Sequence, residues 1–137
     1  MREMSMTELE QFAAHHIERL RAGKDAFFPL LEANHAIVPV LIEACRAEPD
    51  PDVRAELVEI IWQHRLPETV EFLSEALVDD APEVWKNALD GLVALGGEAA
   101  INALESAKNR VLSHRQGMAD RAEWINEAIQ QIKQEQI

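Results

Sequence analysis

Five histidines, one cysteine and twenty-five carboxylates are the groups in this chain best placed to do chemistry. His15 and Glu18 stand three apart, which places them on one face of a helix, but two ligands do not make a metal site. His64 falls on an apolar helical stripe, where a hydrogen-bonded, partly buried histidine is the ordinary outcome. Cys45 is the only cysteine, so an internal disulfide and a cysteine-rich metal site are excluded. It reads as a small core residue rather than a nucleophile. No Ser-His-Asp set and no phosphate-cradling glycine loop is present; Gly96-Gly97 reads as a helix stop. The sequence therefore predicts no catalytic residue, no metal, no cofactor and no enzymatic activity. The chemistry that remains is electrostatic binding. Glu71 and Glu75 lie one helical turn apart, close enough for one basic group to engage both.

The acids are also unevenly placed. Lysine and arginine number 13 against 25 acids, a net charge of −12. Residues 43–83 alone hold 12 acids and 3 bases, a net −9. Such a segment repels nucleic-acid phosphate and attracts a basic protein surface. Acids also keep a small domain soluble, which accounts for part of the total but less well for the clustering.

These residues must be positioned by helices. Val53, Leu57, Ile60, Ile61 and His64 form one stripe at 100° per residue, and Val84, Ala88, Leu92 and Leu95 repeat it. No segment alternates strictly over strand length. The predicted helices span 7–21, 24–33, 36–47, 51–64, 67–78, 82–95, 98–112 and 119–135. Asp50-Pro51 supplies an N-cap and a first-turn proline, and Asp80 with Pro82 is read the same way. Arg65 to Glu68 and Gly96-Gly97 turn the chain within successive units. The segment 50–106 is one pattern written twice, 31 residues apart. Pro51-Asp52-Val53 returns as Pro82-Glu83-Val84, and Val70, Leu73 and Ala76 return as Ile101, Leu104 and Ala107. A fainter third copy runs from Ile37 to Ala44. A repeat of this length means stacked units rather than one closed core. Short links make neighbouring helices antiparallel. The chain is expected to be one domain over 1–137, clearest in its repeats over 36–108, with helix 119–135 covering the end of the stack. The apolar run Ala36–Ile42 is too short to span a bilayer, and Met1–Phe28 lacks the apolar block of a secretory signal. A soluble, cytoplasmic protein with no membrane contact is expected; the lone cysteine suits a reducing compartment.

Asp52-Val53-Arg54 opening a helix, Pro67-Glu68 opening its partner and Glu75-Ala76-Leu77 with Asp79-Asp80 closing it resemble HEAT repeats of the short, bilin-lyase-like type. Val84 and Leu92-Val93-Ala94-Leu95-Gly96 continue the pattern, although Trp85 replaces the usual arginine that stands at Arg54. The resemblance implies an all-α fold, a right-handed α-α superhelix of about eight antiparallel helices. It specifies no activity. Similarity to deoxyhypusine hydroxylases would require His-Glu dipeptides, and none of the five histidines is followed by glutamate. Similarity to HEAT-like DNA glycosylases would require a basic face, and the only local basic group is Lys108, Arg110, Arg115 and Arg121. A bilin lyase would need more repeats to enclose a tetrapyrrole.

A helical-wheel projection turns Val70, Leu73 and Leu77 inward and Glu71, Ser74, Glu75 and Val78 outward. Glu43 and Arg46 face outward in the unit before. The turns add Glu48, Asp50, Asp52, Asp79, Asp80 and Glu83 along one edge. Capping explains several of these acids but not Glu43, Glu71 or Glu75. The expected partner-binding residues are therefore Glu43, Arg46, Glu71, Ser74, Glu75, Asp79 and Asp80, with Trp62 as either an inter-repeat packing residue or an exposed anchor. The expected function is a non-enzymatic protein-binding module that holds a basic protein partner. Size, fold and charge resemble bacterial immunity proteins, for which that partner is a toxin. The alternative is an adaptor or assembly scaffold; a small lyase or metal-dependent enzyme is the third reading. No nucleic-acid partner is expected, and the protein is expected to be a monomer or weak dimer.

Overall fold

The computed structural model describes residues 4–113 and 119–135. Among these the chain forms eight α-helices and no strand: α1 (Met6–Arg21), α2 (Phe27–Glu32), α3 (Val38–Ala47), α4 (Pro51–Gln63), α5 (Val70–Ala76), α6 (Pro82–Leu95), α7 (Gly97–Ser113) and α8 (Ala119–Glu135). Single 3-10 turns, His35–Ile37 and Pro67–Thr69, lead into α3 and α5. The fold is an all-α solenoid.

Local chemistry explains most boundaries. Ser5 and Glu8 start α1 as a reciprocal capping box. Asp50 caps α4 by accepting from the Asp52 amide, with Pro51 in the first turn. One unit later the structure corrects the expected cap. Ala81 occupies the cap position of α6, and Asp79, not Asp80, accepts its amide at 2.9 Å. The helix expected over 24–33 shrinks to α2, because the chain starts it only after Ala26 and leaves it extended at Ala33. The residues after α4 and α6 share a positive φ at matching repeat positions, Arg65 at 59° and Gly96 at 64°. A positive φ is strained for the side-chain-bearing Arg65, by roughly 1–2 kcal/mol. Arg65 lies over the Trp62 ring, 5.4 Å from its centroid, and donates to the Ala94 carbonyl of the next unit.

Packing follows the 31-residue period. Val53 and Val84, Leu57 and Ala88, Ile61 and Leu92, and Leu73 and Leu104 are buried as pairs. The faint third copy contributes Leu41, also fully buried. α2 packs on α4 and α4 on α6, while α5 packs on α7; α8 lies along α7 and also meets α6. Gly91 permits the closest approach. A Cβ there would come within 2.7 Å of Trp62 Cβ and Cγ, so the Trp62 ring sits directly on the α6 backbone.

Arginines tie the units together. Arg21 of α1 donates to Glu48, a buried acid just past α3. Arg54 of α4 grips Asp79 through two bonds of 3.0 and 3.1 Å, and its remaining nitrogen donates to the Glu48 and Pro49 carbonyls. Glu48 and Asp79 are 31 residues apart and so occupy the same place in successive units. Trp85 holds the next arginine position, and α8 supplies the missing guanidinium. Arg121 donates to the carbonyls of Leu77 and Asp79 and lies 4.8 Å from the Trp85 ring centroid.

Histidine joins the early helices. His64 is buried and one ring nitrogen contacts the Leu30 carbonyl at 3.1 Å; the other lies 2.8 Å from His35 Nδ1. The carbonyl can only accept, so His64 Nε2 carries a proton and His64 Nδ1 accepts from His35. A proton added at His64 Nδ1 reverses that contact and requires His35 to take its other tautomer. Burial, above all, and then His35 hold the His64 ring below the ordinary histidine range, partly offset by the Leu30 bond. The unfolded chain takes up a proton near the ordinary value of 6.5 while the folded chain resists it, so stability falls as pH drops below that value and levels off past the folded value. His16 acts in the same direction, through burial and then His15 and Arg19. The His64→Gln variant should show a shallower fall than wild type between pH 7 and pH 5 in urea unfolding; identical slopes contradict this role.

Candidate protein-binding surface

α5 is a short helix whose amphipathicity is set by Phe72, Leu73 and Leu77 on the buried side. Its other side, with the turn before it, exposes Glu68, Glu71 and Glu75. On one flank, between α3 and α5, lies a groove of about 570 Å³ whose walls include Val38, Pro39, Ile42, Leu66 and Phe72. On the other flank, between α5 and α7, lies a second groove of about 630 Å³ with Val70, Ala103, Ser106 and Arg110. Glu68 and Glu71 border both.

The expected site residues separate into three groups. Glu43, Arg46 and Glu75 form one network: Arg46 donates to Glu43 at 2.8 Å and to both oxygens of Glu75 at 3.0 Å, and lies over the edge of Phe72. All three are exposed, so the pairs add little stability; they fix geometry between α3 and α5. Glu75 is therefore not a free acid. Glu71 makes no hydrogen bond or ion pair with any described residue, and the same holds for Glu68, which the sequence predicts at a turn and helix start but not among the binding residues. These two, three residues apart, are the unpaired carboxylates that border both grooves.

Ser74 corrects the helical-wheel projection. It is buried at 7 % exposure, accepts from Arg110 at 2.6 Å and donates to the Ala103 carbonyl. α7 packs closer to α5 at that point than the wheel of an isolated helix shows. Asp79 is likewise withdrawn into its pair with Arg54, and Glu48 into its pair with Arg21, so the acidic edge expected along the turns is thinner. Asp80 is exposed. Trp62 is half-buried against Gly91 and belongs to the packing between units; its indole N–H is buried without a partner among the described residues. The exposed tryptophan is Trp124, stacked edge-on to Trp85 with Lys86 4.7 Å from its ring centroid.

The remaining reactive groups are committed elsewhere. Glu18 pairs with Arg21 rather than turning to His15. Burial pushes the Cys45 thiol up to about 12, against a partial lowering by Arg54, and its Sγ donates weakly to the Arg54 carbonyl. It stays protonated at neutral pH, the inert state of a core cysteine. Of the local basic group, Arg110 and Arg121 point into the fold, and Arg115 lies outside the described residues. Among the described residues no three histidine, cysteine or carboxylate side chains gather as a metal set.

Stacked helical hairpins with period-matched cores and an open face of second helices define an α-solenoid of the HEAT class. A family model of HEAT repeats matches residues 38–116, more than half of the chain, and the chain belongs to that family. HEAT repeats generally mediate protein–protein interaction and are typically non-catalytic scaffolds. Searches of curated proteins and of solved structures returned no match.

Proposed function

We propose that this protein is a non-enzymatic binding module that holds a basic protein partner on the face formed by α3, α5 and α7. The observation that carries this reading is the pair Glu68 and Glu71, exposed between two grooves and without a hydrogen-bond or ion-pair partner among the described residues. The net −9 of residues 43–83 supplies the longer-range field that steers such a partner. Small size, repeat fold and acidity suit an immunity protein that covers the basic cleft of a cognate toxin; an adaptor that docks a basic subunit would use the same face. A toxin gene beside this one favours the first role. The setting is the cytoplasm, and no helix among the described residues is long and apolar enough to cross a membrane.

Affinity capture with the full chain as bait, read by mass spectrometry, tests the partner class. The expected catch is a basic protein that elutes as salt is raised, because exposed charges are screened over about 8 Å at physiological ionic strength. Capture of a neutral or acidic protein that salt does not release contradicts the reading. So does tight binding to duplex DNA at physiological salt.

A further inference from the structure

We infer that the α3–α5 groove receives a short amphipathic basic segment of the partner, with an apolar side chain on the groove floor and lysine or arginine beside it on Glu68 and Glu71. The inference rests on the function proposed above and narrows it to one groove and one kind of segment.

Three features of the groove lead there. Its floor is apolar and only partly covered: Ile42 and Leu66 are half-buried, and Phe72 and Val38 close the bottom. Its volume, about 570 Å³, falls in the range that holds a ligand of several residues rather than a single side chain. Its rim is acidic on the α5 side, where Glu68 and Glu71 have no partner among the described residues. Arg46 stands at the same groove but is already shared between Glu43 and Glu75, so this trio keeps a net negative charge and does not invite an acidic ligand.

Selectivity follows from desolvation. A segment lying on Ile42 and Phe72 shields the rim from water. A neutral or acidic segment leaves the Glu68 and Glu71 carboxylates without hydrogen-bond donors, which is costly. A lysine or arginine replaces the lost water with charge-assisted bonds. The apolar contact and the basic contact therefore reinforce each other, and a segment with only one of them binds weakly.

A phage-displayed random peptide library selected on the full-length protein tests this. Enriched peptides should carry a large apolar residue with lysine or arginine within about three positions, the reach of neighbouring side chains on one peptide face. A fluorescein-labelled selected peptide, followed by anisotropy, should lose about tenfold or more in affinity with Glu68→Gln plus Glu71→Gln, which are surface changes that leave the fold intact. Ile42→Asp should cause a similar loss, and Glu123→Gln plus Glu127→Gln on α8 should leave affinity within about twofold. Basic peptides whose binding ignores the groove variants overturn the groove while leaving the acidic-surface function standing. Selected peptides that are neutral or acidic overturn both. Basic peptides without an apolar residue, or no enrichment at all, overturn the docking mode.

Discussion

Leu104→Ala should destabilise the protein by about 2–5 kcal/mol, and Leu73→Ala by a similar amount. Both side chains are fully buried, and they hold the same place in successive units. Truncation removes their transfer free energy and leaves a void that neighbouring helices fill only in part, because each is held by contacts on two sides. Domains of this size are stable by about 5–15 kcal/mol, so either change removes a large share of the total. Leu112→Ala, on the same α7 helix as Leu104 but 55 % exposed, serves as the control. It should stay within about 0.5 kcal/mol of wild type. Urea unfolding followed by far-UV circular dichroism reads all three. Losses near zero at Leu73 and Leu104 contradict the assignment of the core face.

The second large effect is expected at Arg54. Its guanidinium holds Asp79 at two points and also satisfies the Glu48 and Pro49 carbonyls at the end of α3. The two side chains are 21 % and 19 % exposed, between a surface pair and a fully buried one. Arg54→Met leaves the half-buried Asp79 carboxylate without its counter-charge, with only the Ala81 amide still donating to it, and strands the two carbonyls. The expected cost is about 2–4 kcal/mol, below the 3–5 of a broken fully buried pair. Arg46→Met breaks a pair with nearly ideal distances but 45 % exposure on both sides, and should cost no more than about 1 kcal/mol. Asp79→Asn in the Arg54→Met background should recover part of the loss, since it removes the stranded charge but keeps an acceptor for Ala81. Equal losses for Arg54→Met and Arg46→Met contradict the argument that burial, not pairing, sets the energy.

The helices and their stacking were legible because apolar period, proline and glycine punctuation and the 31-residue repeat agree with one another. The fate of individual charges was not. A wheel places Ser74 outward because it treats α5 as isolated; α7 brings Arg110 across to cover it. Arg21 with Glu48, Arg54 with Asp79 and Arg46 with Glu75 are pairs 25–29 residues apart, set by how units stack rather than by spacing within a helix. A signal was nonetheless present: Glu48 and Asp79 share a repeat position, and an acid recurring at the same turn of successive units points to a structural role. Trp85 in place of an arginine at the Arg54 position was visible in the sequence, but its replacement by Arg121 from α8 depends on tertiary packing. The sequence reads Glu68 as an opening residue of a helix over 67–78, where an acid is explained by capping; the structure puts it in the 3-10 turn ahead of α5, on the rim of both grooves.

The central claim is that the unpaired acids beside α5 carry partner binding. The decisive comparison is between two double reversals assayed on the captured partner by surface plasmon resonance. Glu68→Lys with Glu71→Lys alters two exposed, unpaired acids at the grooves; Glu123→Lys with Glu127→Lys alters two exposed acids on α8 and changes net charge equally. Both should keep the wild-type circular dichroism spectrum. The first pair should weaken binding by at least about a hundredfold, since each lost charge contact is exchanged for a repulsion, and the second by only a few-fold through the general field. Equal weakening by the two pairs means that bulk charge alone is at work, and greater weakening by the α8 pair places the partner on the C-terminal helix; either result contradicts the account.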